Sequence, residues 1–533
     1  MTKKASVLVH PCFVAVEISP RLYGAFLEPI GNMVSGSLYN PKHPRADKKG
    51  FRRDYLEAIK ATGVPAVRLP GGNFLSGWDW KDSIGPMGER KIRFDPARRI
   101  YYSNEVGHDE YLQWTELVGT EPMYTINLGT GDINDAMKIL EYTNHEGGSY
   151  WSDLRRKNGH EAPYGVKTWY LGNEMDHPFQ TGSWTFDPQG YGTLSNEVSK
   201  VMKRIDPKVE TVVCGSTSFT MLHYPEWDIE VLKRCYQAVD YISLHHYHRA
   251  PPGDYAALLG GSSYIEDFIK KTISVCDTVQ AYYRSPKKIM LSFDEFGISF
   301  QEASPSNYGR NGLYNFLEPH YRVDPESKIT RQDPEVWTTR RLGGSEMSTA
   351  LTSSSVILTF LRNADRVKIG CMTGALRVLA ATDQNNVWKT ASHYSLTQLM
   401  NYGTGVSLQA IVDCDTFDLP GYAMSDTAQY YTQKGLKYLD TAAAYDEEKG
   451  SLAIFMINRN PDEDNAVEID ASAFKGYKFV EHIQLYSDDM EAANSYENPE
   501  KIKPTLNKDA RFIDGILSTS VKKLSWNVLR FEK

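Results

Sequence analysis

The sequence predicts an α/β fold, a (β/α)8 TIM barrel joined to an accessory antiparallel β-sandwich. Between residues 20 and 375, eight short apolar runs alternate with amphipathic helical stretches, as a closed parallel barrel requires. After about residue 385 the chain changes to short alternating segments separated by turn residues, which is typical of an antiparallel sandwich. The 533 residues suffice for a barrel of roughly 250–400 residues and a smaller domain.

The eight predicted barrel strands are short apolar runs bounded by turn residues. They lie at residues 22–29, 64–72, 122–130, 166–174, 210–218, 239–247, 287–297 and 365–374. The helical stretches between them, such as residues 133–144 and 265–284, repeat apolar residues at intervals of three and four, as one buried face requires. An open doubly wound sheet is the alternative, but no glycine-rich dinucleotide fingerprint follows the first strand.

The predicted sandwich is discontinuous in sequence. The N-terminal segment SVLVHPCFVAVEI alternates like the C-terminal strands and precedes the first barrel strand. We therefore expect the barrel at residues 18–384 and the sandwich at 1–17 and 385–533. The segment 300–340 follows the seventh strand and lacks periodicity, so we expect it on the active-site face.

Charge and cysteine content exclude several classes of protein. With 59 Lys+Arg and 67 Asp+Glu the net charge is −8, which argues against a nucleic-acid partner. No apolar run approaches the roughly 20 residues of a membrane span, and the N-terminal segment is a poor signal peptide. The six cysteines are scattered, with no Cys-x-x-Cys pair, so free thiols and a cytoplasmic location are expected.

Polar side chains collect where the predicted strands end, which is the end at which barrel enzymes place catalysis. These residues are Glu28, Arg68 with Asn73, Asn173 with Glu174, His245 with Tyr247, and Asp294 with Glu295. A purely structural barrel would not be expected to gather so many polar groups there.

Glu174 and Glu295 are the predicted catalytic pair. Strands four and seven face each other across a barrel mouth, and retaining glycosidases need two carboxyl groups about 5–5.5 Å apart. Glu295 would be the nucleophile, held ionised by Arg68 because a nearby cation lowers a carboxylate pKa. Glu174 would be the general acid/base, for which we expect a raised pKa. The alternative is that each is a solvated strand-end residue.

The run His245-His246-Tyr247-His248, with Asp294 added, invites a zinc hypothesis. However, neighbours on a strand point to opposite faces, so His245 and His246 cannot both reach one ion easily. We therefore predict no metal, and a hydrogen-bonding role for His245 and Tyr247 near the nucleophile.

Several segments resemble glycoside hydrolase family 51, the α-L-arabinofuranosidases of clan A. They occur in order along the whole barrel: YGAFLEPIGN, VRLPGGNFLSGWDWKDSIGP, EPMYTINLGTG, GSYWSDLR, KTWYLGNEMD, DYISLHHYH, LSFDEFG and NADRVKIGC. The resemblance implies a retaining, exo-acting enzyme that releases terminal non-reducing α-L-arabinofuranosyl residues from arabino-oligosaccharides. It also implies that no cofactor is needed and that the chain forms a homo-oligomer, often a hexamer.

The resemblance also implies roles for individual residues. Glu174 looks like the acid/base and Glu295 like the nucleophile, with Tyr247 bonding the nucleophile and Arg68 orienting it. The residues expected to bind the furanose hydroxyls are Glu28, Asn73 and Asn173.

The sequence departs from the family pattern near the sugar. Residues 294–299 read Asp-Glu-Phe-Gly-Ile-Ser, where most members carry tryptophan at the third and sixth positions. Gly374 aligns with a glutamine that contacts the sugar, and Arg377 aligns with an asparagine. A different furanose specificity, such as β-D-galactofuranosidase, is therefore one alternative. An endo-β-glycanase of the same clan is another, as is a non-enzymatic sugar-binding module, although the presence of both Glu174 and Glu295 speaks against the module.

Overall fold

The computed structural model describes residues 3–97, 100–303, 344–383, 385–425 and 427–533. It contains a closed barrel of eight parallel strands, as predicted. The strands are Gly24–Phe26, Ala66–Leu69, Glu121–Ile126, Thr168–Leu171, Glu210–Cys214, Tyr241–Ala250, Met290–Phe300 and Val367–Thr373. Apart from residues 300–303, the loop expected on the active-site face lies outside the described residues.

The barrel closes where the eighth strand pairs with the first, Met372 beside Ala25. Its interior is filled by side chains from all eight strands, so it is a packed core rather than a pore. The buried residues are Phe26, Ala66, Met123, Tyr170, Val212, Tyr241, Ile369 and Cys371, and the seventh strand adds the partly buried Met290. Substrate can therefore reach only the polar groups at the mouth.

Amphipathic helices cover the outside of the barrel, as the helical periodicity predicted. Helix Arg53–Lys60, for example, buries Tyr55 and Ile59, which are four residues apart and so share one face. The α-helices of the described residues are Arg53–Lys60, His108–Val118, Ile133–Asn144, Tyr150–Lys157, Pro188–Ile205, Glu226–Cys235, Tyr255–Tyr283, Met347–Arg362, Ala375–Leu379 and Ala391–Tyr402.

The second domain consists of two sheets. In spatial order, the five-stranded sheet is Ile411–Asp413, Lys3–Leu8, Asn465–Asp470, Ile516–Val521 and Arg511–Ile513. The seven-stranded sheet is Val14–Glu17, Val406–Leu408, Leu439–Asp446, Ser451–Asn458, Ser525–Glu532, Lys478–Tyr486 and Thr505–Leu506. Apolar side chains of both sheets form their shared core, among them Val7, Ile454, Ile469 and Leu529.

The N-terminal segment contributes one strand to each sheet of this domain. Strand Lys3–Leu8 runs parallel to Asn465–Asp470, whereas the other pairings in the two sheets are antiparallel. The parallel pair is possible because the two strands are far apart in sequence and no short hairpin fixes their direction. The exact domain boundaries stay a prediction.

All six cysteines are unpaired, and four of them, Cys214, Cys235, Cys276 and Cys371, are buried. The expectation of free thiols is thus confirmed. Within the described part of the chain, no helix is both long enough and apolar enough to cross a membrane.

Candidate active site

The barrel mouth brings Glu174, His245 and Glu295 together from strands four, six and seven. One carboxylate oxygen of each glutamate and one ring nitrogen of His245 lie within 4.8 Å of one another. Glu174 follows strand Thr168–Leu171 in a left-handed conformation with φ of +49°, which is uncommon for a residue with a side chain and is found most often at functional sites. The turn is held by the His177 amide, which donates to the Glu174 carbonyl at 2.9 Å.

Arg68, at the end of the second strand, organises the Glu295 side of the site. Its Nη1 donates to Glu295 Oε1 at 2.8 Å, and its Nε forms an ion pair with Asp294 Oδ2 at 2.9 Å. Nη2 donates to Asn173 Oδ1 at 2.6 Å. One buried guanidinium therefore fixes two carboxylates and the amide beside Glu174.

The Arg68 guanidinium is itself fixed by aromatic rings of the barrel interior. It lies 5.0 Å from the ring centroid of Phe26 and 4.9 Å from that of Tyr170. Such cation–π contacts strengthen when the cation is desolvated, and Arg68 is almost fully buried. The cation is thus held in place before any substrate binds.

Both oxygens of Glu295 are engaged. Tyr247 donates its hydroxyl to Oε2 at 2.7 Å and in turn lies 2.7 Å from the Thr373 hydroxyl. Burial raises the pKa of Glu295; the positive charges of His245 and Arg68 oppose this shift and the charge of Glu174 adds to it. The net direction is upward, which differs from the lowering expected from Arg68, because burial and Glu174 outweigh the two cations.

Glu174 accepts a hydrogen bond from His245 Nδ1 at 3.0 Å and lies 3.4 Å from Gln180 Nε2. Burial raises the pKa of Glu174, but the hydrogen bond and charge of His245 outweigh burial and lower it to about 2. This differs from the expectation of a raised pKa, because His245 is charged and in direct contact with the carboxylate.

His245 lies among three carboxylates. Besides Glu174, its Nε2 is 3.3 Å from Asp294 Oδ2 and its Nδ1 is 3.8 Å from Glu295 Oε1. Burial lowers the pKa of His245, but the charges of Glu295 and Asp294 and the hydrogen bonds to Asp294 and Glu174 raise it to about 10. The imidazole is therefore a cation at neutral pH.

The neighbouring histidines face away from this site. His246 Nδ1 lies 3.0 Å from the Ser218 hydroxyl and His248 Nε2 lies 3.2 Å from the Ala257 carbonyl. Among the described residues, the donor set that could surround an ion is Glu174, His245 and Glu295. Arg68 and the charged His245 already supply positive charge to these carboxylates, which suits acid/base chemistry better than a second cation.

The predicted sugar-binding residues surround the pair. Glu28 is buried and accepts the Phe74 amide at 3.1 Å. A Cβ at Gly72 would lie 2.1 Å from Glu28 Cδ, so only glycine allows this approach. Asn73 accepts from Gln180. Asn173 Nδ2 is buried without a partner among the described residues, so it can donate to a substrate hydroxyl.

Comparisons with known proteins agree with this geometry. Sequence profiles of the α-L-arabinofuranosidase 1 domain and the α-L-arabinofuranosidase C-terminal domain match residues 58–269 and 335–525. An intracellular exo-α-(1→5)-L-arabinofuranosidase of Acetivibrio thermocellus is 37% identical over 538 residues that cover 100% of both chains. The chain belongs to glycoside hydrolase family 51.

Further relatives support the assignment. An intracellular exo-α-(1→5)-L-arabinofuranosidase 1 of Bacillus subtilis is 38% identical, covering 100% of this chain and 99% of that one. The structure of a family 51 α-L-arabinofuranosidase from Bifidobacterium longum superimposes with a TM-score of 0.83 at 27% identity, covering 100% of both chains. The arabinose complex of the Thermotoga maritima enzyme also gives 0.83, at 26% identity, covering 99% of this chain and 100% of that one. The predicted family and barrel fold are thus confirmed, and the chain is a glycoside hydrolase.

This family 51 member has an open position in the wall of its barrel mouth. Gly374 follows Thr373, the partner of Tyr247, and adopts φ of +76°. A Cβ there would meet no described atom within 4 Å. Arg377, one helical turn further, is half-buried, and its Nη1 has no partner in the described part of the chain.

Two further residues of this family 51 site were not predicted from the sequence. Gln180 links Asn73, Ser76 and Glu174, and Thr373 supports Tyr247. Gln180 lies in an aperiodic loop, where no pattern identifies it. Thr373 is the last residue of the eighth strand, so the strand-end criterion could have found it.

Proposed function

We propose that the protein is a retaining, exo-acting α-L-arabinofuranosidase that releases terminal non-reducing residues from arabino-oligosaccharides by double displacement. The observation that carries this proposal is the approach of Glu174 and Glu295 within 4.8 Å, with Arg68 paired to Glu295. Retaining enzymes place their carboxyl groups about 5–5.5 Å apart, whereas inverting enzymes need about 6.5–9.5 Å to admit water.

The contacts suggest a role for each group. Ionised Glu295, oriented by Arg68 and Tyr247, attacks the anomeric carbon while Glu174 gives a proton to the leaving oxygen. A glycosyl ester forms on Glu295. Glu174 then takes a proton from water, which attacks the anomeric carbon and breaks the ester bond. Two inversions give net retention.

The low pKa of Glu174 requires a source for the first proton, and we propose His245. The proton on Nδ1 can move to Glu174 across their 3.0 Å hydrogen bond as the leaving oxygen gains charge. Ester formation removes the negative charge of Glu295, which is the largest electrostatic contribution favouring charged His245. The pKa of His245 is therefore lower in the intermediate, which favours the neutral imidazole while Glu174 acts as base.

A pH profile of kcat/KM tests this role. Activity requires ionised Glu295, whose pKa is raised, so it should fall as the pH drops through that raised pKa. It also requires the proton shared by His245 and Glu174, so it should fall as the pH rises through about 10. In His245→Asn, Glu174 alone must hold the proton, and the alkaline limb should move by about 1 pH unit or more toward acid.

His246→Asn is the matched control, since His246 is equally buried but faces Ser218. The alkaline limb of the kcat/KM profile of His246→Asn should lie at the same pH as in the wild type. An unchanged alkaline limb in His245→Asn would show that His245 does not supply the proton.

The choice of arabinofuranose rests on the relatives, which are named intracellular exo-α-(1→5)-L-arabinofuranosidases. For the same reason we propose a cytoplasmic location; the family resemblance also supports a homo-oligomer.

The open wall at Gly374 favours a second candidate function, that of a β-D-galactofuranosidase, because D-galactofuranose carries one more hydroxymethyl group than L-arabinofuranose.

A panel of p-nitrophenyl furanosides and pyranosides, compared by kcat/KM, separates these candidates. We expect the α-L-arabinofuranoside to be preferred over the β-D-galactofuranoside by about tenfold or more, equivalent to about 1.4 kcal/mol. Asparagine tolerates a left-handed backbone, so it can replace Gly374. The Gly374→Asn variant should further reduce activity on the galactofuranoside. A preference for the galactofuranoside that this variant abolishes would overturn the assignment of arabinofuranose.

A further inference from the structure

A cavity separate from the catalytic carboxylates lies on the catalytic face, beside the third barrel strand. It has a volume of about 440 Å³, within the range of about 300–1,000 Å³ typical of ligand sites. Strand Glu121–Ile126 and helix Ile133–Asn144 form its inner walls, and the turn Leu75–Gly77 forms the side next to the catalytic residues.

Four aromatic side chains contribute to the lining of the cavity. Trp78, Trp80 and Tyr124 line its buried part, and Phe94 stands at its mouth with half of its side-chain surface exposed. Aromatic rings at a solvent-open cavity offer flat apolar surface at low entropic cost, and this surface matches the C–H face of a sugar ring.

The charges around the cavity are compensated. Lys81 lies 2.6 Å from Asp135 and 3.4 Å from Asp79, and both Lys91 and Arg93 pair with Asp82. The walls therefore present hydrogen-bonding groups, but these ion pairs leave no excess of either sign. An ionic ligand would have to break one of them, whereas a neutral polyhydroxylated ligand would not.

A single turn separates the cavity from the acid/base residue. Leu75 and Gly77 line the cavity, while Ser76 between them donates to Gln180 at 3.3 Å on the other side. Gln180 in turn lies 3.4 Å from Glu174. A ligand in the cavity would thus rest against the segment that supports the catalytic acid.

We propose that this cavity is a second saccharide site, which holds a neutral sugar unit of an oligosaccharide away from the residue being cleaved. The proposal of a saccharide site rests on the volume, aromatic lining and balanced charge of the cavity, and only the choice of an arabino-oligosaccharide as its ligand rests on the proposed function. The site would raise affinity for longer or branched substrates without contributing to bond cleavage.

Binding can be measured without turnover in Glu295→Ala, by titrating arabinotriose and following the intrinsic tryptophan fluorescence, to which Trp78 and Trp80 of the cavity contribute. Adding Phe94→Ala should weaken binding about five- to tenfold, as expected for loss of one stacking ring. Ile92→Ala is the matched control, because Ile92 is exposed two residues before Phe94 in the chain but does not line the cavity. The affinity of this variant for arabinotriose should match that of the parent.

Kinetics with otherwise wild-type protein give an independent readout. Phe94→Ala should lower kcat/KM on arabino-oligosaccharides about fivefold and leave the p-nitrophenyl arabinofuranoside within twofold, since the aryl glycoside has no further sugar unit. Equal affinity in the Phe94→Ala and parent titrations, or an empty cavity in crystals soaked with arabinotriose, would overturn the proposal. Absence of turnover on every arabinofuranoside would instead refute the proposed function, while the titration would still report on the cavity.

Discussion

Glu295→Ala is expected to lower kcat on p-nitrophenyl α-L-arabinofuranoside by about 10⁴-fold or more, because it removes the group that forms the covalent intermediate. Sodium azide should restore measurable activity, since the anion fits the space vacated by the carboxylate, beside Arg68 and Tyr247. The product should then be the glycosyl azide of inverted configuration, identified by NMR.

Glu302→Ala is a suitable control for this experiment. Glu302 is exposed just beyond the end of the same strand, Met290–Phe300, and its replacement should leave kcat unchanged. If azide instead restores Glu174→Ala with an inverted product and leaves Glu295→Ala inactive, the two assigned roles are exchanged.

Glu174→Ala should produce a different result, a loss that depends on the leaving group. A substrate with a poor leaving group, such as arabinobiose, needs the acid and should lose about 10²–10⁴-fold in kcat/KM. A 2,4-dinitrophenyl arabinofuranoside needs no proton on its leaving oxygen, so its kcat/KM should fall less than about tenfold. Steady-state kinetics on the two substrates measure the difference.

Glu174→Gln provides the matched control for this variant, because it keeps the size of the side chain and a hydrogen bond to His245 but cannot transfer a proton. It should show the same dependence on leaving group as Glu174→Ala. An equal loss on both substrates would mean that Glu174 positions the substrate rather than protonating it.

The sequence predicted the barrel because its signal is local. Each strand is a short apolar run and each helix buries residues three and four apart, as Tyr55 and Ile59 do. The candidate site was predictable for a related reason, since Arg68, Glu174 and Glu295 all lie at the ends of parallel strands, which converge at one face.

The electrostatics of the site could not be predicted in this way. The pKa of Glu174 depends on His245, whose own charge depends on Asp294 and Glu295 around it, and strand periodicity does not give distances between side chains. Gln180 was not predicted because its loop has no sequence periodicity. The parallel pairing of strand Lys3–Leu8 was not predicted because the partner strand is distant in sequence: Lys3 pairs with Asn465, 462 residues away, and such a pairing leaves no local signal.

The central claim is that Glu295 forms a covalent bond to the sugar, and the configuration of the first-formed product tests it most directly. Proton NMR should follow hydrolysis of an α-L-arabinofuranoside in D₂O from the first minutes, before the free sugar mutarotates. Two displacements at the anomeric carbon predict that α-L-arabinofuranose appears first and the β anomer later. Initial release of the β anomer would contradict the covalent intermediate and indicate direct attack by water.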